Sequence, residues 1–166
     1  MEFEKTSSRI WRHLTREERL EAATAFWAEP SGEVLGAALA LIVKTRHVRP
    51  QVARSLPDPA KVQVLATALD PGESLAAALL VALHLAKRRT LLVSFLDGVG
   101  IPHENGLIQD NDPAGPLPEE RVRAGIEALK AFPPEQVFLY LNVLWLQDPE
   151  RWEGLPRFAA ALPGPL

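Results

Sequence analysis

The chain has 166 residues, 47% of them apolar and 23% charged, a globular composition of one domain's length that excludes global disorder. Lys and Arg number 18 against 21 Asp and Glu, so the net charge of −3 gives no overall reason to expect nucleic acid or a membrane surface as partner. With no cysteine, disulfides, thiol chemistry, iron–sulfur clusters and Cys-ligated zinc are excluded.

The opening residues, MEFEKTSSRIWRHL, place two acids within four positions and no apolar run after them, which is not the pattern of a secretory signal; a cytoplasmic protein is the expectation. A first helix is expected over 8–13. Thr15-Arg16-Glu17-Glu18 has capping-box spacing and predicts a helix over 16–28. After the corner Pro30-Ser31-Gly32-Glu33, a helix over 32–46 carries the apolar run Val34–Val43, with Gly36 inside it. Asp58-Pro59 starts a helix over 59–69, and Asp70-Pro71-Gly72-Glu73 starts another over 72–88. The latter is apolar on every face until Lys87, with His84 the sole exception, so protein must surround it. Both apolar runs reach about half the roughly 20 residues needed to span a membrane, and read as core helices. Leu91–Leu96 fits a helix over 90–98, although so short an apolar run also suits a buried strand. Further helices are expected over 118–131, over 134–147 after Pro133-Pro134-Glu135, and over 149–155 after Asp148-Pro149. Trp152, Leu155, Phe158 and Leu162 then dock as a cap, and Pro163-Gly164-Pro165 ends any helix.

Self-similarity organises these elements. At an offset of 40 residues, 31–50 and 71–90 share seven of 20 positions, among them Gly32/Gly72, Glu33/Glu73, Leu35/Leu75 and Ala38/Ala78. A weaker third copy begins where Glu119-Glu120-Arg121-Val122-Arg123-Ala124 parallels Glu17-Glu18-Arg19-Leu20-Glu21-Ala22. Each copy reads as an αα-hairpin, an amphipathic helix followed by an apolar one, over about 15–50, 55–90 and 117–148. The expected architecture is therefore all-α: stacked αα-hairpins, as a short α-solenoid or an irregular helical bundle, in a single domain with a long loop at 97–116.

Signatures of chemistry are sparse. There is no phosphate-binding G-x-x-x-x-G-K-[ST], and Gly98-Val99-Gly100-Ile101-Pro102-His103 lacks the third glycine of a dinucleotide site. No H-E-x-x-H or G-x-S-x-G occurs. Asp110-Asn111-Asp112-Pro113-Ala114-Gly115 begins like a calcium loop, but Arg121 stands where the bidentate Glu is required. The loop still gathers the densest set of acid–base or metal-capable groups. His103, Glu104 and Asp97 are the catalytic candidates, and His103, Glu104, Asp110 and Asp112 the metal-ligand candidates. No cofactor is implied.

Basic residues cluster twice, as Lys44, Arg46, His47 and Arg49 after one apolar helix and Lys87, Arg88 and Arg89 after the other. Stacked repeats would align both as a positive stripe, which Arg54 extends, although cations at helix C-termini also simply complement exposed carbonyls. Residues 1–90 carry 13 basic and 10 acidic groups, a net +3, whereas 91–166 carry 5 and 11, a net −6. An acidic protein, or the acidic half of a second copy, suits such a stripe; RNA does not, because no aromatic residues interleave the basic ones. His84 and Asn142, lone polar groups on apolar helices, must find hydrogen bonds if buried, or line an inner groove with Tyr140 and Trp145. Two functions follow as expectations: a non-catalytic interaction or scaffold domain, or a small helical enzyme or metal-binding protein using the loop.

Overall fold

A computed structural model describes residues 2–109 and 115–162. In chain order the described elements are α1 (Ser7–His13), α2 (Arg16–Ala28), α3 (Gly32–Arg46), α4 (Pro50–Ser55), α5 (Asp58–Thr67), α6 (Glu73–Lys87), α7 (Arg89–Val99), β1 (His103–Glu104), β2 (Leu107–Ile108), α8 (Glu119–Ala128), α9 (Pro134–Gln147) and α10 (Leu155–Ala159). The fold is all-α, the two short strands forming its only sheet among the described residues. No described helix is long and apolar enough to cross a membrane. The chain divides into two compact units: Thr6–Lys87, and Met1–Lys5 together with Arg88–Leu166.

In the first unit, α2 is the centre. The capping box forms as the spacing predicts: Glu18 N–H donates to Thr15 Oγ1 at 3.2 Å and Thr15 N–H donates to Glu18 Oε2 at 2.9 Å. The face carrying Ala22, Ala23, Phe26 and Trp27 is buried. It packs mainly on α5 and α6, which contribute Val62, Val64, Leu65 and Ala66, and Leu75, Ala76, Leu79, Leu80 and Leu83. The 40-residue similarity falls on α3 and α6, and the heaviest packing in this unit runs from α2 to α5 and α6 rather than within the expected pairs α2–α3 and α5–α6.

Helix α1 is held by its side chains. Trp11 is fully buried, and its indole N–H donates to the Ala68 carbonyl at the end of α5 (2.7 Å). Glu73, in the first turn of α6, also serves the start of α1, accepting from the backbone N–H of Ser7 (2.7 Å) and Ser8 (3.1 Å). One carboxylate thus meets two helix N-termini, where negative charge is favoured. Desolvation acts to raise the Glu73 pKa, but the hydrogen bonds from Ser7 and Ser8 outweigh it and hold the carboxyl below the usual glutamate value.

Two elements depart from expectation. Helix α4 was not expected: its six residues include only Val52 and Ala53 as aliphatic side chains, too few to show a period. Pro50 starts it at the first helical position, where proline's missing N–H costs nothing. Conversely, 149–155 is not a helix. Asp148 Oδ1 accepts from Arg151 N–H (3.1 Å) and its carbonyl accepts from Trp152 N–H (3.1 Å), but the capped turn stops, and α10 begins only at Leu155.

In the second unit, α7 contains Leu91–Leu96 and continues through Val99, so Asp97 is helical rather than in a loop. Gly100 ends it in the left-handed conformation (φ 75°), its N–H returning to Leu96 and Asp97 carbonyls. Arg121 of α8 covers the same end, donating from Nε to the Val99 carbonyl (2.8 Å) and from Nη2 to the Gly100 carbonyl (2.9 Å). Helices α7 and α8 cross closely because glycines meet there: a Cβ on Gly98 would lie 3.0 Å from Gly125 Cα. Phe95 fills the rest, edge-on to Tyr140 (5.5 Å) and tilted against Trp152 (5.6 Å). Burial pushes the Tyr140 hydroxyl pKa far above its ordinary value. The segment 2–5 lies on α9, with Phe3 between Phe138 (5.3 Å) and Trp145 (5.9 Å).

Opposite effects are expected at two helical glycines. Gly125→Ala drives a Cβ into Val99 and the Phe95 ring and should cost about 1–3 kcal/mol in urea unfolding. Gly36→Ala meets nothing within 4 Å and should gain about 0.5–1 kcal/mol. Glu73→Gln should lower stability near neutral pH by about 0.5–1 kcal/mol. The folded pKa is lowered, so the carboxylate's contribution is complete above the unfolded value and lost as pH falls through the folded one. Melting curves of variant and wild type should therefore converge below the ordinary glutamate range.

Candidate functional site

Helix α3 reads GEVLGAALALIVKTR, apolar around its circumference, yet only Ala38 and Ile42 are buried. Val34, Leu35, Leu39, Leu41 and Val43 are half-buried, and Gly36, Ala37 and Ala40 are exposed. Positions 36, 37, 40 and 44 share one helix face, so the small residues form an open stripe that ends at exposed Lys44. Its counterpart α6 buries Leu75, Ala76, Leu79, Leu80, Leu83 and His84. His47 then adopts the left-handed conformation (φ 53°) and ends α3. The chain continues through exposed Arg49 into α4, where Val52 (43% exposed) and Arg54 face solvent. The first unit thus presents an apolar helix face followed by Lys44, Arg46, Arg49 and Arg54.

The remaining expected basic residues divide between the units. Lys87 closes α6 in the first, and Arg88 and Arg89 open the second. Lys44, Arg46 and Lys87 all lie in last helical turns, where they also complement the C-terminal carbonyls.

Of the 97–112 candidates, Asp97 lies near the end of α7, and His103 and Glu104 lie on a β-hairpin. Asn105 and Gly106 both have positive φ (51° and 93°), the two-residue turn that an Asn-Gly pair favours, and His103 pairs with Ile108 across it. His103 Nδ1 accepts from Gly106 N–H (3.1 Å), so the ring proton sits on Nε2 and is donated to Asp97 Oδ1 (2.7 Å). Both ring nitrogens are therefore engaged, and His103 stitches the hairpin to the end of α7. Glu104 is exposed and, being the next strand residue, points to the opposite face from His103. Asp110 and Asp112 lie outside the described residues. Among the described residues no group of three or more His, Asp and Glu side chains could hold a metal ion.

The lone polar groups each have a partner of their own. His84, in the first unit, donates from Nδ1 to the Leu80 carbonyl one turn back (2.7 Å). Asn142, in the second, pairs with the backbone of Glu4: Glu4 N–H donates to Oδ1 (2.8 Å) and Nδ2 donates to the Glu4 carbonyl (3.0 Å).

A cleft of about 310 Å³ beside α8 and α10 has no counterpart among the sequence motifs. Glu119 there accepts from Arg123 (2.8 Å) and Arg157 (2.6 Å), while both guanidinium groups lie over the Phe158 ring. Arg157 and then Arg123 hold the exposed Glu119 carboxyl below its ordinary pKa. The Glu119–Arg123 spacing of four was visible in the sequence; the approach of Arg157 from 38 residues away was not.

No protein-family model, curated protein or solved structure matches the chain. His103→Ala removes both hairpin hydrogen bonds and should cost about 1–2 kcal/mol. Hydrogen exchange should show faster exchange at Gly106 and over the hairpin, with the helices of the first unit unaffected.

Proposed function

We propose that this chain is a non-catalytic helical interaction domain that docks an acidic protein on the α3–α4 surface of the first unit. The observation that carries the proposal is α3 itself, apolar on every side and covered on few of them. A helix of that composition belongs inside protein, so its open face calls for a further layer. The small residues Gly36, Ala37 and Ala40 let a partner backbone approach closely. Lys44, Arg46, Arg49 and Arg54 select carboxylates at one end of the contact and speed encounter. The proposal includes the reading of 31–50 and 71–90 as copies of one unit, with α3 the copy whose apolar face is left for a partner.

Affinity capture from an extract of the source cell tests this. The double variant Ala37→Glu, Ala40→Glu places charge on the stripe without touching the buried Ala38 or Ile42. It should keep the wild-type melting temperature and lose the captured partner by at least about tenfold, as desolvated like charges demand. Arg46→Ala with Arg54→Ala should weaken capture at low salt and flatten its salt dependence. Equal capture by wild type and the glutamate variant would contradict the proposal.

A further inference from the structure

We infer that the acidic protein docked on α3 is a second copy of this chain. The two α3 helices pack antiparallel about a twofold axis, so that each Glu33 meets the partner's Lys44 and each Leu41 seats over the partner's Gly36. This rests on the proposed function and names its partner; the chain is itself acidic, with a net charge of −3.

The outward face of α3 is a palindrome. At 3.6 residues per turn, Glu33, Gly36, Ala37, Ala40, Leu41 and Lys44 fall on one side of the helix, and the buried Ala38 and Ile42 fall on the other. Five of the six are exposed and Leu41 is half-buried. Each has a mate equally far from the point midway between Ala38 and Leu39: Glu33 with Lys44, Gly36 with Leu41, and Ala37 with Ala40. A twofold axis through that point lays the face on itself in antiparallel orientation, and every pair of mates becomes a contact.

The three pairs are chemically matched. Glu33 and Lys44 carry opposite charges, and among the described residues neither makes an ion pair within its own chain. Antiparallel packing forms this pair twice, whereas parallel packing sets Glu33 on Glu33 and Lys44 on Lys44. The opposed helix dipoles favour the same orientation. A Cβ on Gly36 would meet nothing within 4 Å, so a seat lies open there, and the partner's Leu41 supplies the side chain that fills it. Ala37 and Ala40 between them let the helix axes come close. Exposed Glu29 extends the acidic end of the face, as Arg46 and Arg49 extend the basic one. The contact is one 15-residue helix on another, small beside the roughly 1,200–2,000 Å² of standard interfaces. Dimerisation is therefore weak, with a Kd of about 10 μM to 1 mM, and α3 is open in dilute solution.

Sedimentation equilibrium of the full chain tests this. Wild type should pass from monomer to dimer over that concentration range. Glu33→Lys and Lys44→Glu should each remain helical by circular dichroism and weaken dimerisation at least about tenfold, because the twofold axis repeats every like-charge contact. An equimolar mixture of these two variants should dimerise again, since opposite charges then meet at both ends of the contact. The chain carrying both exchanges should dimerise like wild type. Gly36→Leu, which fills the seat of Leu41 at an exposed position, should weaken dimerisation at least about tenfold. Single variants that dimerise as wild type does, or a mixture that stays monomeric, would overturn the inference. A wild type that stays monomeric up to about 1 mM, while Ala37→Glu, Ala40→Glu still loses its captured partner, overturns the second copy and leaves another acidic protein on α3. Dimerisation that survives Ala37→Glu, Ala40→Glu removes α3 as the docking face and overturns it as well.

Discussion

A helix without a polar face has to be enclosed by protein, and this requirement organises the first unit. Helix α6 meets it by burying Leu75, Leu79, Leu80 and Leu83 against α2 and its neighbours, with His84 tied to its own helix through the Leu80 carbonyl. Helix α3 has the same composition and meets it only at Ala38 and Ile42. At about 25 cal/mol for each Å² of apolar surface removed from water, half-buried Leu35, Leu39, Leu41 and Val43 hold unrealised stabilisation. That imbalance between two apolar helices gives the functional reading its physical basis.

The second unit depends on contacts that small or aromatic residues allow. Gly98 and Gly125 let α7 and α8 approach where a single methyl group would collide. Phe95, Tyr140 and Trp152 fill the space this creates. Polar groups act mostly as fasteners. Arg121 covers the end of α7, His103 holds the hairpin to Asp97, and Asn142 holds segment 2–5. With both nitrogens engaged, His103 joins the hairpin turn to α7.

Much of this was legible in the residues because it is local. The capping box at Thr15 and Glu18, the helix start at Pro134 and the helical spacing of Leu91–Leu96 are decided within a few positions of chain. Helix α4 was not legible, since six residues display too little periodicity, and Asp148-Pro149 capped a turn that did not propagate. The hairpin at 103–108 was not expected: an Asn-Gly pair suits its turn, but strands of two residues show no alternation. Long-range pairings were invisible for a different reason. Nothing near Asn142 in sequence announces Glu4, and nothing near Glu119 announces Arg157. Likewise, residue types established that α3 is apolar, but only three-dimensional packing shows that it is half-covered.

Because the chain has no native cysteine, a single Ala40→Cys reports on the α3 face directly. The decisive measurement is its rate of alkylation in the purified protein and again in cell extract. The account predicts rapid modification of the purified protein and marked protection in extract, where a partner covers the stripe. Slow modification of the purified protein, or equal rates in both settings, would contradict it.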